Sequence, residues 1–411
     1  MSRLRYMLFC FSAAFTVTYF TYSKTSDDRF DEKHVLYNQY CIIPNAFDGG
    51  KIEEERIAQI LHMSSNILDD RLVDQVKNWN APVSLSIVLI HKADYYSILK
   101  KLKDYITRNP LLQKYLRVHL MYPSSWTTSC EPNFDASTSS NISKPTTQEL
   151  ADYPANTARN VARMFSPTKY ILIADYEHLF SKNFENSVLK LTQKVLVPGS
   201  KQLLVYRIFE IEEGAEEPET KADLHKLMEE KKAVIFHGAF SQAHAIPRLD
   251  EWFAEKGSKN GIFWKDIGYT KYSWEPQFIS RSDIPMHDIN FPFLTRDNTV
   301  LRWELCRAGY QFDILSDHFM YHKGPYYNYY RYPQQNSYYP GQYTAQNNYY
   351  NGAYSNYNYQ PYYGSNYGSG YNGYGGGGCT WAGIFRGSTR YLCSDGSLRY
   401  GETVGFSIQL G

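Results

Sequence analysis

Net charge is almost absent from this chain: 43 basic and 42 acidic residues leave a formal value of +1. No field of one sign is available to grip a phosphate backbone, so nucleic acid is not an expected partner. Cysteine is scarce. Of the six, Cys10 falls in an apolar run, and Cys41, Cys130, Cys306, Cys379 and Cys393 match no zinc spacing. An odd number outside that run leaves at least one thiol free or paired between chains, and the connectivity is not readable. Long apolar runs are confined to residues 6–22, behind Arg3 and Arg5. That run carries no charge and approaches the roughly 17–25 residues a bilayer requires. The basic pair before it orients the remainder toward the lumen. A cleaved signal peptide competes, but no sharp small-x-small site follows, which favours an uncleaved anchor over residues 1–23. Aliphatic side chains are nearly missing from 325–378, a stretch of Tyr, Asn, Gly, Gln and Pro. Such a composition buries no core and predicts disorder.

What remains has the make-up of a folded domain. The aromatic share is 16%, with 38 Tyr, most of the excess lying in the last quarter. Residues 24–50 read as a polar stem, and 51 to about 79 carry helical spacing, giving a stem and N-terminal helix over 24–79. A core strand at 83–90, a helix from 93 to about 108 and a second strand at 116–122 form a βαβ unit, which demands a parallel pair. Asn141-Ile142-Ser143 is a glycan acceptor usable in a lumen. A helix follows from Tyr153-Pro154, then the stretch that organises the rest: Tyr170-Ile171-Leu172-Ile173-Ala174-Asp175-Tyr176-Glu177. An apolar run of this kind suits a strand covered on both faces, and ligands of open α/β sheets lie beyond such strand ends. Two carboxylates there suit a hard divalent cation that in turn holds nucleotide phosphates. Beyond come a helix near 184–191, a strand at 202–211, a charged helix at 221–231 and an irregular, Trp-rich region from 233. The segment 379–411 regains ordinary composition, with a hairpin at Ser394-Asp395-Gly396, and a Cys379–Cys393 bridge would staple it.

Five blocks in order resemble glycosyltransferase family 49, a family that includes β-1,4-glucuronyltransferase and the C-terminal half of the LARGE-type bifunctional enzymes. They are Tyr153-Pro154-x-Asn156-x-x-Arg159-Asn160-x-Ala162-Arg163; the strand ending in Asp175-x-Glu177; Trp274-Glu275-Pro276; Glu304-Leu305-x-x-Ala308-Gly309-Tyr310-x-Phe312; and His322-Lys323-Gly324. The resemblance covers about residues 80–324. It implies an α/β domain of the GT-A type with a central, mostly parallel sheet over 80–324, between a membrane anchor and a Tyr/Gly-rich tail. It further implies a single-pass type II protein of the Golgi or endoplasmic reticulum that moves a sugar, glucuronic acid favoured, from a UDP-sugar to a glycan or glycoprotein acceptor.

The resemblance maps Asp175, Glu177 and His322 onto the ligands of Mn²⁺, an ion that accepts both oxygen and nitrogen donors. Lys323 would place a point charge near the diphosphate, and Asn156, Arg159 and Arg163 would reach the nucleotide. For Arg159, Asn160 and Arg163 an equal explanation is that they align their helix against the sheet by salt bridges. An inverting transfer needs a base. Glu275 is the first candidate, on an aromatic sugar platform with Trp274, and Asp288 the second; a hydrogen-bonded loop acid is the competing reading for both. Two departures from the family pattern stand out. Glu replaces Asp at the second acid position, and Phe293-Leu294-Thr295-Arg296-Asp297-Asn298 lacks two family glycines. These motivate an alternative, a relative that binds nucleotide-sugar or glycan with little or no turnover. A matrix component is the third reading, motivated by the tail alone.

Overall fold

The computed structural model describes residues 34–324 apart from 135–141, 143, 237–242, 257–259, 270–272, 292 and 294–296, together with the backbone of 379–385, 388–393 and 398–402. The expected anchor at 1–23, the glycan acceptor Asn141 and the tail at 325–378 lie outside the described residues. Among those described, no helix is long and apolar enough to cross a membrane.

The chain opens with β1 (Val35–Tyr37) and β2 (Tyr40–Asp48), then β3 (Ile57–Ser64) and α1 (Arg71–Trp79). Next come β4 (Val83–Val88), α2 (Asp94–Arg108), α3 (Pro110–Tyr115) and β5 (Leu116–Pro123). After α4 (Thr147–Ala151) and α5 (Ala155–Met164) follow β6 (Tyr170–Ile173), β7 (Leu179–Phe180), α6 (Phe184–Val195) and β8 (Gln202–Glu212). The remainder is α7 (Lys221–Glu229), β9 (Ala233–Ile235), α8 (Leu249–Ala254), β10 (Ile262–Ile267), β11 (Gln277–Arg281), α9 (Thr299–Arg307) and β12 (Gln311–Gly324).

One sheet runs β1-β2-β5-β4-β3-β6-β11-β8-β12-β10, with β7 on β12 and β9 on β8. Its β3–β4, β4–β5, β3–β6 and β8–β12 pairs are parallel. The remaining pairs are antiparallel. The expected mostly parallel sheet is therefore corrected to a mixed one. Within it β11 inserts antiparallel between β6 and β8, and β1, β2, β7, β9 and β10 add antiparallel pairs around it.

Two further expectations change. The helical spacing over 51–79 resolves into β3 followed by a short helix. Every residue of β3 is buried, between parallel neighbours on both sides. A doubly covered strand has no solvent face to reveal a period of two, and its buried Gln59 and His62 mimic helical interruptions. The supposed stem contributes β2, which pairs with β5 and carries Cys41 to a disulfide with Cys130. A bridge closing 89 residues removes about 4–5 kcal/mol of unfolded-chain freedom. Cys306 is a free cysteine. In the C-terminal segment, β13 (Cys379–Phe385), β14 (Ser388–Cys393) and β15 (Leu398–Glu402) form a separate antiparallel sheet in which Cys379 and Cys393 are register partners.

Alternation along β3 divides the core. Ile57, Leu61 and Met63 join the side chains of α1 and α2, while Ala58 and Ile60 face the opposite layer with Ala162 of α5. Helix α5 is buried along most of its length, and Ser84 of β4 donates to the Ala162 carbonyl at 2.6 Å. His119 of β5 completes this contact. Its Nδ1 accepts from the Asn45 amide at 3.0 Å, so the ring proton sits on Nε2, 3.0 Å from Ser84 Oγ. No position remains for a second proton, and burial first, then the Arg117 charge, lowers its pKa to about 3.

A histidine held neutral in the folded state favours folding above its unfolded pKa and loses that contribution as pH falls toward the folded value. Stability should thus decline from about pH 6.5 toward pH 3, with this one ring contributing up to about 1.4 kcal/mol per pH unit. Urea unfolding across that range should give a shallower decline for His119→Gln than for the unsubstituted protein. Parallel curves would refute the assignment.

Candidate active site

Strand order decides where the site lies. From β3 the chain steps outward to β4 and β5, then returns to place β6 on the other side of β3. That reversal opens a crevice beyond the carboxyl ends of β3 and β6. Ala174 remains tied to β3, its amide donating to the Ile60 carbonyl at 3.1 Å, and the chain then turns. The His178 amide donates to the Asp175 carbonyl at 3.2 Å, and the Asp175 amide donates to His178 Nδ1 at 3.1 Å. The ring proton of His178 is thereby placed on Nε2, which lies 3.8 Å from Asp175 Oδ2.

Around Asp175 the charges are set by α5. Arg159 Nη2 is 3.7 Å and His62 Nε2 4.0 Å from Asp175 Oδ1. Burial alone would raise the Asp175 carboxyl, but His178, Arg159 and His62 together hold it well below the usual carboxylate range. The flanking imidazoles move the other way. Burial, outweighing the neighbouring acids, takes His178 to about 4 and His62 to about 3. Asp175 is therefore an anion at neutral pH, and half of its side chain remains exposed to the crevice.

Glu177 reaches a different set of partners. Arg71 Nη1 donates to its Oε1, and His322 Nε2 lies 3.1 Å from its Oε2. Register explains the second contact. Met320 faces Phe180 and Tyr321 faces Leu179 across β12 and β7, which sets His322 opposite the acid turn. Gly324 has a steric role in the same block. A Cβ there would lie 2.7 Å from Glu210 Oε1 and 3.0 Å from His322 Nδ1, so any larger residue would push on the imidazole or its register partner.

Among the described residues no three His, Cys, Asp or Glu side chains converge as a metal-holding group. Asp175 and Glu177 take separate partners here. The donor chemistry nevertheless fits Mn²⁺. Two partly open carboxylates flank one turn, an imidazole already touches the second, and His322 Nδ1 is buried without a hydrogen-bond partner.

The α5 side chains expected to reach a nucleotide are engaged elsewhere. Asn156 donates to the carbonyls of Asp288 and Asp297, both at 2.9 Å, and accepts from Arg159. Arg159 Nη1 pairs with Asp297 Oδ2 at 2.6 Å. Asn160 exchanges two hydrogen bonds with the His287 backbone, and Arg163 donates to the carbonyls of Ile284 and Pro285. Positions 156, 160 and 163 share one helix face, so α5 holds residues 284–288 and Asp297 beside it. Of these side chains only Arg159 makes salt bridges among the described residues, and Asn160 and Arg163 bond backbone groups of residues 284–287. Lys323 is turned away from His322, because neighbours in a strand face opposite sides. Its ammonium pairs with Glu217.

The two candidate bases differ sharply. Thr299 Oγ1 donates to Glu275 Oε1, and His244 Nε2 lies 3.8 Å from Glu275 Oε2. Asp288 Oδ1 accepts from the amide and side chain of Asn290, a local loop cap. Trp274 is no sugar platform. It is 2% exposed and packs on Phe312 and Tyr269, a core position that its polar neighbours Ser273 and Glu275 did not reveal. Sequence reasoning missed Arg71, His62 and His244, whose approach to the acids comes from tertiary contacts, and His178, which folds back on Asp175 within its own turn.

A model of the family described as "Glycosyl-transferase for dystroglycan" matches residues 56–358. The chain belongs to glycosyltransferase family 49. The match begins earlier than the expected residue 80 and so takes in β3, the strand that forms one wall of the crevice. Among family 49 relatives, beta-1,4-glucuronyltransferase 1 of Danio rerio is 28% identical over 176 residues, 42% of this chain and 40% of that protein. The Mus musculus protein of the same name is 23% identical over 275 residues, 61% of this chain and 63% of that protein. The chain thus matches less than two thirds of these relatives' length. A solved structure of GalNAc-T7 with UDP, GalNAc and Mn²⁺ shares 10% identity at a TM-score of 0.38, covering 66% of this chain and 44% of that one.

Arg159 is buried between two carboxylates, and removing it leaves both without their cation. Arg159→Met should cost about 3–5 kcal/mol in urea unfolding. Adding Asp297→Asn should return part of that loss. Unchanged stability in the single variant would show that the pair does not organise the loop.

Proposed function

We propose that this chain is a membrane-anchored, Mn²⁺-dependent inverting glycosyltransferase of the GT-A type. It moves a sugar, glucuronic acid favoured, from a UDP-sugar to a glycan or glycoprotein acceptor in the lumen of the Golgi or endoplasmic reticulum. The observation that carries the reading is the meeting of Glu177 with His322, beside an ionised Asp175, at the switch point of the sheet. Family membership supports the reaction class, and the names of the curated relatives support the donor. The Cys41–Cys130 bridge and the apolar run behind Arg3 and Arg5 support an oxidising, luminal setting.

Asp175, Glu177 and His322 would hold Mn²⁺, which when bound supplies a Lewis acid for the charge on departing UDP. His178 and Arg159 favour the ionised form of Asp175 for that task. Glu275 is the favoured base over Asp288. Thr299 fixes one of its oxygens, leaving Oε2 to take the proton as the acceptor oxygen attacks C1 and the bond from C1 to UDP breaks. Inversion at C1 follows from attack opposite the leaving group. A second reading, binding without turnover, is favoured by Glu in place of Asp at position 177 and by its engagement with Arg71.

A panel of UDP-sugars supplied with Mn²⁺ or EDTA separates the two. Turnover should require the metal and fall on the order of 100-fold in Asp175→Asn. Tight UDP binding by calorimetry without turnover of any donor would establish the second reading.

A further inference from the structure

Arg71 is the first residue of α1, where the chain has just left β3, and it is 106 residues from Glu177 in sequence. Its guanidinium is divided between two carboxylates. Nε lies 2.9 Å from both oxygens of Asp69, and Nη2 lies 2.7 Å from Asp69 Oδ2. The Tyr176 hydroxyl donates to Asp69 Oδ1 at 2.9 Å, and the Tyr176 ring underlies the guanidinium, 5.2 Å from Cζ. These contacts hold the planar group in place independently of the remaining arm. That arm, Nη1, donates to Glu177 Oε1.

The Arg71 and Glu177 side chains are 32% and 28% exposed, so their contact opens on the crevice. The other guanidiniums nearby are differently placed. Arg159 is committed to Asp297 and Asn156, and Arg302 is buried against Pro276, Gln277 and Asn298. A carboxylate oxygen that coordinates a divalent cation cannot also keep a guanidinium at hydrogen-bond distance without strong repulsion between the two cations.

We infer that Arg71 is a displaceable latch on Glu177. It holds the acid until a divalent cation takes Oε1, and its freed Nη1 then faces the anionic oxygens of the nucleotide-sugar donor. Asp69 and Tyr176 keep the guanidinium aimed at the same point throughout, so the donor meets a fork that is already oriented. This inference rests on the reading of Glu177 as a metal-site acid. Two anionic groups on such a donor offer the same chemistry, the diphosphate and a uronate carboxylate.

The test uses the full chain with Arg71→Gln and Arg71→Lys. With Mn²⁺ alone, followed by electron paramagnetic resonance of the free ion, Arg71→Gln should bind about fivefold more tightly, because a competing cation is gone. Arg71→Lys should stay near the unsubstituted protein. With Mn²⁺ saturating, calorimetry should show nucleotide affinity changing in the opposite direction, about tenfold weaker in Arg71→Gln. A loss already seen with UDP assigns the arm to the diphosphate. A loss seen with UDP-glucuronate, but not with UDP or UDP-glucose, assigns it to the uronate. Equal or weaker Mn²⁺ binding by Arg71→Gln at an unchanged melting temperature would overturn the latch and leave the enzymatic reading standing. Loss of both affinities with a lowered melting temperature would make Arg71 a mere support for α1, which also overturns it. No Mn²⁺ binding by the unsubstituted protein would overturn both readings together.

Discussion

A buried guanidinium beneath a half-exposed carboxylate is the interaction on which the rest of the site depends. Arg159 stands on α5, a helix packed against β3 and β4, and its two arms reach Asp297 and, on the acid turn, Asp175. Burying a lone cation is costly unless its partners are well placed. Arg159 thereby links the helix, Asp297 and the end of β6, beside the hydrogen bonds from Asn156, Asn160 and Arg163. Burial raises the Asp175 carboxyl, and His178, Arg159 and His62 bring it well below the usual carboxylate range. The imidazoles of His62 and His178, both lowered by burial, lie 4.0 and 3.8 Å from that carboxylate.

The second half of the site is built by register. β12 is the longest strand, parallel to β8 along both of its segments, and it is paired near its end with β7. The two strands meet just after the acid turn, so His322 reaches Glu177 without any loop having to deliver it. Gly324 lets the imidazole and the buried Glu210 occupy adjacent register positions. Side chains carried by strand ends are held more rigidly than those on loops. The mixed sheet follows from the same constraint. Bringing β12 to the crevice from the far side requires β11 and β8 to intervene, and β11 runs against both of its neighbours.

Much of this was legible in the residues, and the failures are physical. β6 was readable because four apolar residues end on acid, and α5 because Pro154 and a helical repeat mark its start. β3 was misread because a strand buried on both faces shows no alternation, and Gln59 and His62 lie inside it. Asn156, Arg159 and Arg163 stand out as a set, and their polar groups bond Ile284, Pro285, Asp288 and Asp297, partners that spacing along one helix cannot name. Lys323 was assigned to the diphosphate beside His322, although a period of two turns adjacent residues apart. Trp274 carried the aromatic signature of a sugar platform and proved to be core. Arg71 offered no local signal. Its partner is far along the chain, and only the juxtaposition of β3 and β6 brings the two together.

The central claim is that Asp175, Glu177 and His322 share one cation. Pulsed electron paramagnetic resonance of Mn²⁺ bound to the protein tests it most directly, since it detects nitrogen from a coordinating imidazole. The account requires a nitrogen coupling that disappears in His322→Gln while bound Mn²⁺ can still be detected. Bound Mn²⁺ with no nitrogen coupling, or a coupling that survives that substitution, would contradict it.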